Sequence, residues 1–207
     1  MGFYENRVLP RILNLAMSAK AFTQERKRCL ENVEGTVLEV GFGSGLNLPH
    51  YPGTVTKVVG VDPSGTSAGL ARKRVGASPF PVEIVGISAE RIPAADDSFD
   101  SIVSTFTLCT IPDVASALLE MRRVLRPGGR LHFVEHGWAE DLKVQRWQNR
   151  LNSIQNSVFG GCHLNRQISG LITQAGFEIE SIDNCYLKGA PKFSGFLYRG
   201  VAKRPKS

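Results

Sequence analysis

No apolar run in the 207 residues approaches the ~20 that a membrane span requires. Charged residues interrupt the first 17 positions every few residues, which excludes the continuous apolar core of a signal peptide. Asn6 stands where N-myristoylation asks for Ser or Thr, so the chain reads as cytoplasmic. The four cysteines, at 29, 109, 162 and 185, form no CxxC pair. A zinc site built on cysteines is therefore not expected, and reduced thiols are. Basic residues outnumber acidic ones by 25 to 19, but no aromatic-interleaved basic stripe occurs. Arg26-Lys27-Arg28, Arg72-Lys73-Arg74, Arg122-Arg123 and Lys203-Arg204 are scattered and read as solvated faces, so nucleic acid is not an expected partner. There is no internal repeat and no low-complexity linker. With 42% apolar and 21% charged residues, disorder is excluded and a single domain over 1–207 is expected.

What is present is an alternation of β-branched runs and helical stretches, the rhythm of a parallel sheet covered on both faces. The runs begin at Thr36-Val37-Leu38-Glu39-Val40 and Lys57-Val58-Val59-Gly60-Val61. They continue at Val82-Glu83-Ile84-Val85, Ser101-Ile102-Val103-Ser104 and Arg130-Leu131-His132-Phe133-Val134. Helices are expected over about 64–75 and 113–125, the latter stopped by a turn at Arg126-Pro127-Gly128-Gly129, and over 141–158 and 165–175. Residues 1–34 read as a helical cap broken near Pro10, and 138–176 as helices on the acceptor side of a site. Alternation over 177–182 and 194–201 predicts a closing antiparallel pair.

The first run feeds directly into Glu39-Val40-Gly41-Phe42-Gly43-Ser44-Gly45, and Asp62 ends the second run, 21 residues after Gly41. Glycines there allow a tight turn and close backbone approach to a ligand. An acid at that distance can accept hydrogen bonds from both hydroxyls of a ribose. The nicotinamide pattern G-x-G-x-x-G needs a glycine at 46, which is Leu46, and the Walker Gly-Lys-Ser/Thr is absent.

With these segments in view, the sequence resembles the class I S-adenosylmethionine-dependent methyltransferases. The likeness rests on VLEVGFGSG (37–45), VVGVDPS (58–64), Ser88-Ala89-Glu90-Arg91-Ile92-Pro93, DDSFDSIVSTFTLC (96–109) and VLRPGG (124–129). It implies an α/β, doubly wound, Rossmann-like sheet of seven strands, mostly parallel, with an antiparallel last strand. It also implies S-adenosyl-L-methionine as cofactor. Gly41, Gly43 and Gly45 would then border the methionine part, Glu39 would order the turn or reach the methionine amino group indirectly, and Asn47 would lie close by. Asp62 would hold the ribose, Pro63, Ala89 and Glu90 would flank the adenine, and Thr105 would touch the methionine group. Thr107-Leu108-Cys109, Glu135-His136 and Gly161-Cys162-His163-Leu164-Asn165-Arg166 look like the small-thiol S-methyltransferases of this class. FYENRVLPRILNLAM and GSGLNLPHYPG look like their bacterial relatives labelled phospholipid methyltransferases.

This makes a small lipophilic molecule, with a thiol foremost, the expected acceptor. N-methylation of phosphatidylethanolamine, with peripheral membrane contact through the basic N-terminal helix, is the alternative. A quinone-precursor methyltransferase and a cofactor-binding protein without catalysis are further ones. A thiol of pKa ~8.5 is already partly ionised near neutral pH and needs little base machinery. His136, at the ligand end of a strand, is the candidate base, and packing is its competing role. Glu135 should point to the opposite face and not pair with it. Tyr4, Cys109, Trp138, Cys162 and His163 are candidate acceptor-site residues, with Phe3, Trp147 and Phe159 as lid candidates. Asn165 and Arg166 are expected to cap the helix that follows them.

Overall fold

The computed structural model describes residues 14–63, 65–85 and 88–206. Seven strands pair into one sheet in the order β3-β2-β1-β4-β5-β7-β6. They are β1 (Gly35–Val40), β2 (Val55–Val61), β3 (Val82–Val85), β4 (Phe99–Thr105), β5 (Leu125–His136), β6 (Glu178–Tyr186) and β7 (Phe196–Lys203). The first five are mutually parallel where they pair, and β7 runs antiparallel to both β5 and β6. Described helices are α1 (Lys20–Leu30), α2 (Gly65–Gly76), α3 (Val114–Val124), α4 (Leu142–Val158), α5 (Ile168–Gln174) and α6 (Lys192–Gly195). The expected fold is therefore the observed one. Pro10, where a helix break was expected, lies outside the described residues; the break seen is at Ser18–Ala19, between a helical turn and α1.

Period-two alternation assigns the two faces of the sheet. Leu38, Val40, Ile102, Leu131 and Phe133 form one face with Leu118 and Met121 of α3 and Ile168 and Ile172 of α5. Val37, Val58 and Val103 form the other, with Leu30 at the end of α1, Val33 and Ala71 of α2. Glu39 and Thr105 share the parity of Val37 and Val103, so both side chains project toward α1. The chain steps outward from β1 to β3 and returns to β4 on the other side of β1. Open α/β sheets bind ligands at the carboxyl ends of strands at such a switch point.

The expected turn at Arg126-Pro127-Gly128-Gly129 is instead part of β5. Register jumps from Phe99↔Leu125 to Ser101↔Arg130, so these residues bulge out of the ladder. Their backbone is satisfied by the chain end, with Gly128 N–H donating to the Arg204 carbonyl and Arg204 N–H to that of Gly129. Strand pairing to the last residues outweighs the local turn preference. The helix cap expected from Asn165 and Arg166 is also displaced. Gln167 occupies the α5 N-cap, Asn165 pairs with Asn149, and Arg166 reaches back to the Leu108 carbonyl.

Gly60 gives the glycine turn its floor. Phe42 packs against β2 at this point, and a Cβ at Gly60 would sit 2.5 Å from its ring. Gly60→Ala should cost about 1–3 kcal/mol by overpacking. Urea unfolding checks this, and a loss under ~0.5 kcal/mol would show that Phe42 has room to move.

Candidate active site

A cleft of about 680 Å³ opens where β1 and β4 end. Gly41 and Gly43 sit on its wall for different reasons. Gly41 has φ +76°, and a Cβ there would lie 2.0 Å from the Thr107 hydroxyl, so the turn and the loop after β4 interlock only without a side chain. Gly43 has φ +53°, and a Cβ there would meet only the Gly41 carbonyl oxygen, at an ordinary 3.8 Å, so the backbone conformation rather than crowding favours glycine. Gly43 N–H donates to Asp62 Oδ2 at 2.7 Å, which ties the turn to the end of β2.

One end of the cleft is strongly polar. Asn47 Nδ2 donates to Glu39 Oε1 (2.9 Å) and Thr105 Oγ1 (3.1 Å). Arg26 Nη1 of α1 donates to Thr105 Oγ1 (2.6 Å) and Asn47 Oδ1 (3.1 Å). Tyr51 donates its hydroxyl proton to Glu39 Oε2 at 2.7 Å. Arg26 is 6% exposed and Glu39 1%, so two opposite charges share one dry site. Burial pushes the Glu39 carboxyl up to about 7, against the Tyr51 hydroxyl, Arg26 and Asn47, which favour the carboxylate. Burial lowers Arg26, and Glu39 opposes that shift. Arg26 Nε is buried and has no hydrogen-bond partner among the described residues.

The sequence reading placed Arg26 in a solvated basic face; its burial corrects that. Phe22, Arg26, Cys29 and Val33 recur at spacings of three and four, and that stripe was the available signal. Of the expected cofactor residues, Glu39, Gly41, Gly43, Asp62, Pro63, Ala89, Glu90 and Thr105 line the cleft. Gly45 does not; it packs near Leu48 and Phe42. Asn47 stands behind the wall, in the network just described. Arg123 straps the segment carrying Ala89 and Glu90 onto α3 through the carbonyls of Ile92 and Ala94 and the carboxylates of Asp96 and Glu120.

Beyond Thr105 the wall turns apolar. Phe106 adopts φ +57°, a conformation that costs a bulky residue about 1–3 kcal/mol. Its ring is held 5.2 Å from those of Phe22 and His136 and from the Arg26 guanidinium. Glu135 shapes the loop from the other face of β5, accepting from Ser104 Oγ (2.7 Å), Thr107 N–H (3.0 Å) and Cys109 N–H (3.4 Å). It is fully buried, which raises its pKa. His136 points to the α1 face, so the two do not pair, as expected from alternation.

Behind this wall the Sγ atoms of Cys109 and Cys162 and a ring nitrogen of His136 all lie within 4.8 Å of one another. Cys162 is lowered to about 5, chiefly by the Cys109 thiol beside it and then by His136, against burial. Cys109 moves in the opposite direction, raised by Cys162 beside it and by burial. The other acceptor-side candidates scatter. His163 is wedged against Asn156 (3.0 Å) and Asn152 (3.5 Å). The Trp138 carbonyl accepts from the Tyr198 hydroxyl, outside the cleft lining. Phe159 lines the cleft, Trp147 is 55% exposed on α4, and Phe3 and Tyr4 lie outside the described residues.

A seven-stranded sheet with β7 antiparallel between β5 and β6, and a glycine turn after β1 tied to an acid at the end of β2, is the architecture of the class I S-adenosylmethionine-dependent methyltransferases. The chain belongs to the methyltransferase domain family, whose pattern matches residues 38–133. It is 35% identical over 145 residues to a phosphatidylethanolamine N-methyltransferase of Cereibacter sphaeroides, covering 67% of this chain and 70% of that one. It is 33% identical over 148 residues to thiol S-methyltransferase TMT1B of Rattus norvegicus, covering 70% of this chain and 60% of that one. It thus spans about 60% of the length of the thiol S-methyltransferases it matches. A SAM-dependent methyltransferase of Aquifex aeolicus shares the fold, with a TM-score of 0.66 at 18% identity over 94% of this chain and 97% of that one. S-adenosyl-L-methionine is the cofactor. No described helix is long and apolar enough to cross a membrane.

The raised Glu39 pKa fixes the sign of a pH effect. The fold favours the protonated acid, so this contribution to stability is complete below the ordinary value of 4.5 and is lost as pH rises through about 7. Between those limits Glu39→Gln should gain on the wild type by about 3 kcal/mol, whatever its absolute offset. Urea midpoints at pH 4.5, 6 and 7.5 measure this; a constant difference would mean that Glu39 is ionised throughout.

Proposed function

We propose that this protein methylates a small lipophilic thiol. The observation that carries the reading is the wall beyond Thr105. Phe106, Thr107, Thr110, Ile111, Pro112 and Phe159 line it, and none is ionisable. An ammonium of pKa ~10.4 must lose its proton before it can attack, and an alcohol needs a strong, oriented base. A thiol of pKa ~8.5 is a few per cent thiolate at pH 7, so complete ionisation gains at most about 30-fold, or ~2 kcal/mol. A wall of this kind can align such a nucleophile and exclude water without taking its proton. The likeness to thiol S-methyltransferases supports the same acceptor.

The polar end fits the cofactor. Arg26 and Glu39 border the cleft side by side, and their charges match the carboxylate and ammonium of an amino-acid end. The orphaned Arg26 Nε is a donor held ready for an anion. Asp62 is placed to accept from ribose hydroxyls, with Pro63, Ala89 and Glu90 flanking the adenine. When bound, S-adenosylmethionine supplies an electrophilic methyl on a sulfonium. The residues of the cleft orient, and the acceptor's own thiolate attacks.

A second reading, N-methylation of phosphatidylethanolamine, is favoured by α4. Trp147, Ile154 and Val158 are exposed on one side of it, at 55%, 62% and 43%. Lys143, Arg146 and Arg150 lie beside them, and residues 142–159 contain no acid. An apolar strip edged with cations suits a lipid surface. α4 thus offers a basic surface for membrane contact in addition to the N-terminal helix, where Arg26 is buried but Lys20, Lys27 and Arg28 are exposed.

Two experiments test these readings. Arg26→Ala should weaken S-adenosylmethionine by ~2 kcal/mol but leave 5′-methylthioadenosine, which lacks the amino-acid end, nearly unchanged; Asp62→Ala should weaken both. Calorimetry decides, and equal losses for both ligands in Arg26→Ala would remove its proposed contact. Radiolabelled cofactor with hexanethiol, hexylamine, hexanol and phosphatidylethanolamine vesicles should label the thiol. Label in the vesicles alone would replace the thiol reading with the second one.

A further inference from the structure

We infer that Cys109, His136 and Cys162 form a binding site for a thiophilic divalent cation of the zinc class, with one coordination position left for an acceptor thiolate. The position assigned to the acceptor rests on the thiol reading above; the metal site does not.

Three soft donors from three separate segments converge here: two sulfurs and one imidazole nitrogen, within 4.8 Å of one another. Zn–S bonds of ~2.3 Å and Zn–N bonds of ~2.0 Å place tetrahedral ligand atoms roughly 3.5–3.8 Å apart, so about an ångström of closure completes the geometry. Thiolate and imidazole are the donor types that select zinc over magnesium or calcium. Two thiolates and a neutral imidazole around a dication carry no net charge. That suits a place where Cys109 is 1% and Cys162 6% exposed, since an uncompensated charge there is costly. His136 is only partly buried, which leaves one side of the cluster approachable.

The segments are held together by bonds that do not use the donor atoms. His163 N–H donates to the Cys109 carbonyl at 2.8 Å, so the two cysteine segments are pinned to each other. Arg166 donates to the Leu108 carbonyl, and Cys109 N–H donates to Glu135 Oε2, beside His136 on β5. Gly160 and Gly161, at φ +61° and +89°, turn the chain back after α4, and Asn156 Nδ2 holds the Gly161 carbonyl at 3.0 Å. A scaffold fixed in this way is what a preorganised ligand set requires.

Three protein ligands with a fourth position open is the arrangement of catalytic rather than structural zinc. The cluster lies one layer behind the acceptor wall. Thr110 follows Cys109 in that wall, Gly160 precedes Cys162 by two residues, and Phe106 stacks near His136. None of the three ligands lines the cleft, so an incoming thiol would approach past Phe106, on the partly buried His136 side, lose its S–H proton to water and fill the fourth position as a thiolate. The S–CH3 bond then forms as the bond from methyl carbon to sulfonium breaks, releasing S-adenosylhomocysteine.

The test uses the full chain, reduced with a phosphine, freed of metal and titrated with Co2+ without oxygen. One ion per chain should bind, with tetrahedral ligand-field bands and sulfur-to-cobalt charge transfer. Cys109→Ser and Cys162→Ser should each remove about half of the charge-transfer intensity. His136→Ala should weaken binding by more than the roughly 10–100-fold that loss of a supporting contact costs. Cys185→Ser, outside the cluster, should match the wild type. Circular dichroism identifies any variant that fails to fold, and the stoichiometry of the wild type alone still decides. Less than one cobalt per chain, or charge transfer unchanged in both cysteine variants, would overturn the site. Hexanethiol should shift the cobalt bands without cofactor present. Bands indifferent to it would overturn the acceptor position, while the labelling assay judges the thiol reading separately.

Discussion

A carboxylate and a guanidinium meet at one water-poor point beside the end of β1, and the polar half of the cleft follows from satisfying both. Leaving either alone would strand a buried charge at a cost of several kcal/mol. Glu39 arrives there because its parity in β1 turns it toward α1, and Arg26 because it occupies the buried stripe of that helix. Asn47 and Thr105 fill the space between them, and Tyr51 caps the far carboxylate oxygen. One network thus locks together α1, β1, the segment after the glycine turn, and β4. What it leaves over, among the described residues, is the buried Nε–H of Arg26, a residue that borders the cleft. A network this dry is high-stakes, since each missing partner costs more than each bond contributes. On the proposed reading the cofactor's amino-acid end supplies the missing partner.

The other half of the cleft follows the opposite rule. Past Thr105 the backbone turns through the strained Phe106, and the lining becomes apolar. Glu135 sustains that turn from below, its carboxylate spent on backbone N–H groups and a serine hydroxyl, so it reaches no ligand. The polar end holds a guanidinium and a carboxyl side by side, which on the proposed reading face the two ends of a zwitterion. The apolar end offers shape and softness, which suit an acceptor whose own sulfur carries the reactivity.

The individual strands and the glycine turn were legible because both depend on local pattern, whereas the seven-stranded sheet with its antiparallel last strand followed from the resemblance to the class I methyltransferases. Alternation defines a strand face, and a glycine run between a strand and a helix has few other uses. Of the eight expected residues that line the cleft, Gly41, Gly43 and Asp62 followed from that turn and the acid spaced after it, and Glu39, Pro63, Ala89, Glu90 and Thr105 from the resemblance alone. Arg26 was hidden because a basic triplet on a helix is usually solvated, and only the apolar spacing around it showed otherwise. The Cys109–His136–Cys162 cluster was hidden for a different reason. Metal-ligand spacing is visible in sequence when ligands share one turn or hairpin, whereas these three come from the loop after β4, the end of β5 and the turn after α4. The bulge in β5 shows a third kind of miss. Pro127 and two glycines favour a turn locally, and pairing with the chain end overrides that preference.

α4 bears on both acceptor readings at once. Its exposed apolar strip ends beside Phe159, which is itself part of the cleft wall. A lipophilic thiol partitions into bilayers at about 0.8 kcal/mol for each buried CH2, so an enzyme that collects it benefits from touching lipid as much as one that methylates a headgroup does. Membrane binding by α4 is therefore common to the two readings and does not separate them. What separates them is the atom that must be deprotonated. A headgroup ammonium needs a base within reach of the Phe106–Pro112 wall; Glu135 is already committed to the loop that builds the wall, which leaves that task to Glu90, beside Asp113, or to His136, beside Phe106. A thiol needs only a place to shed its proton, and the soft cluster behind Phe106 is the feature of that wall best suited to hold the sulfur that remains.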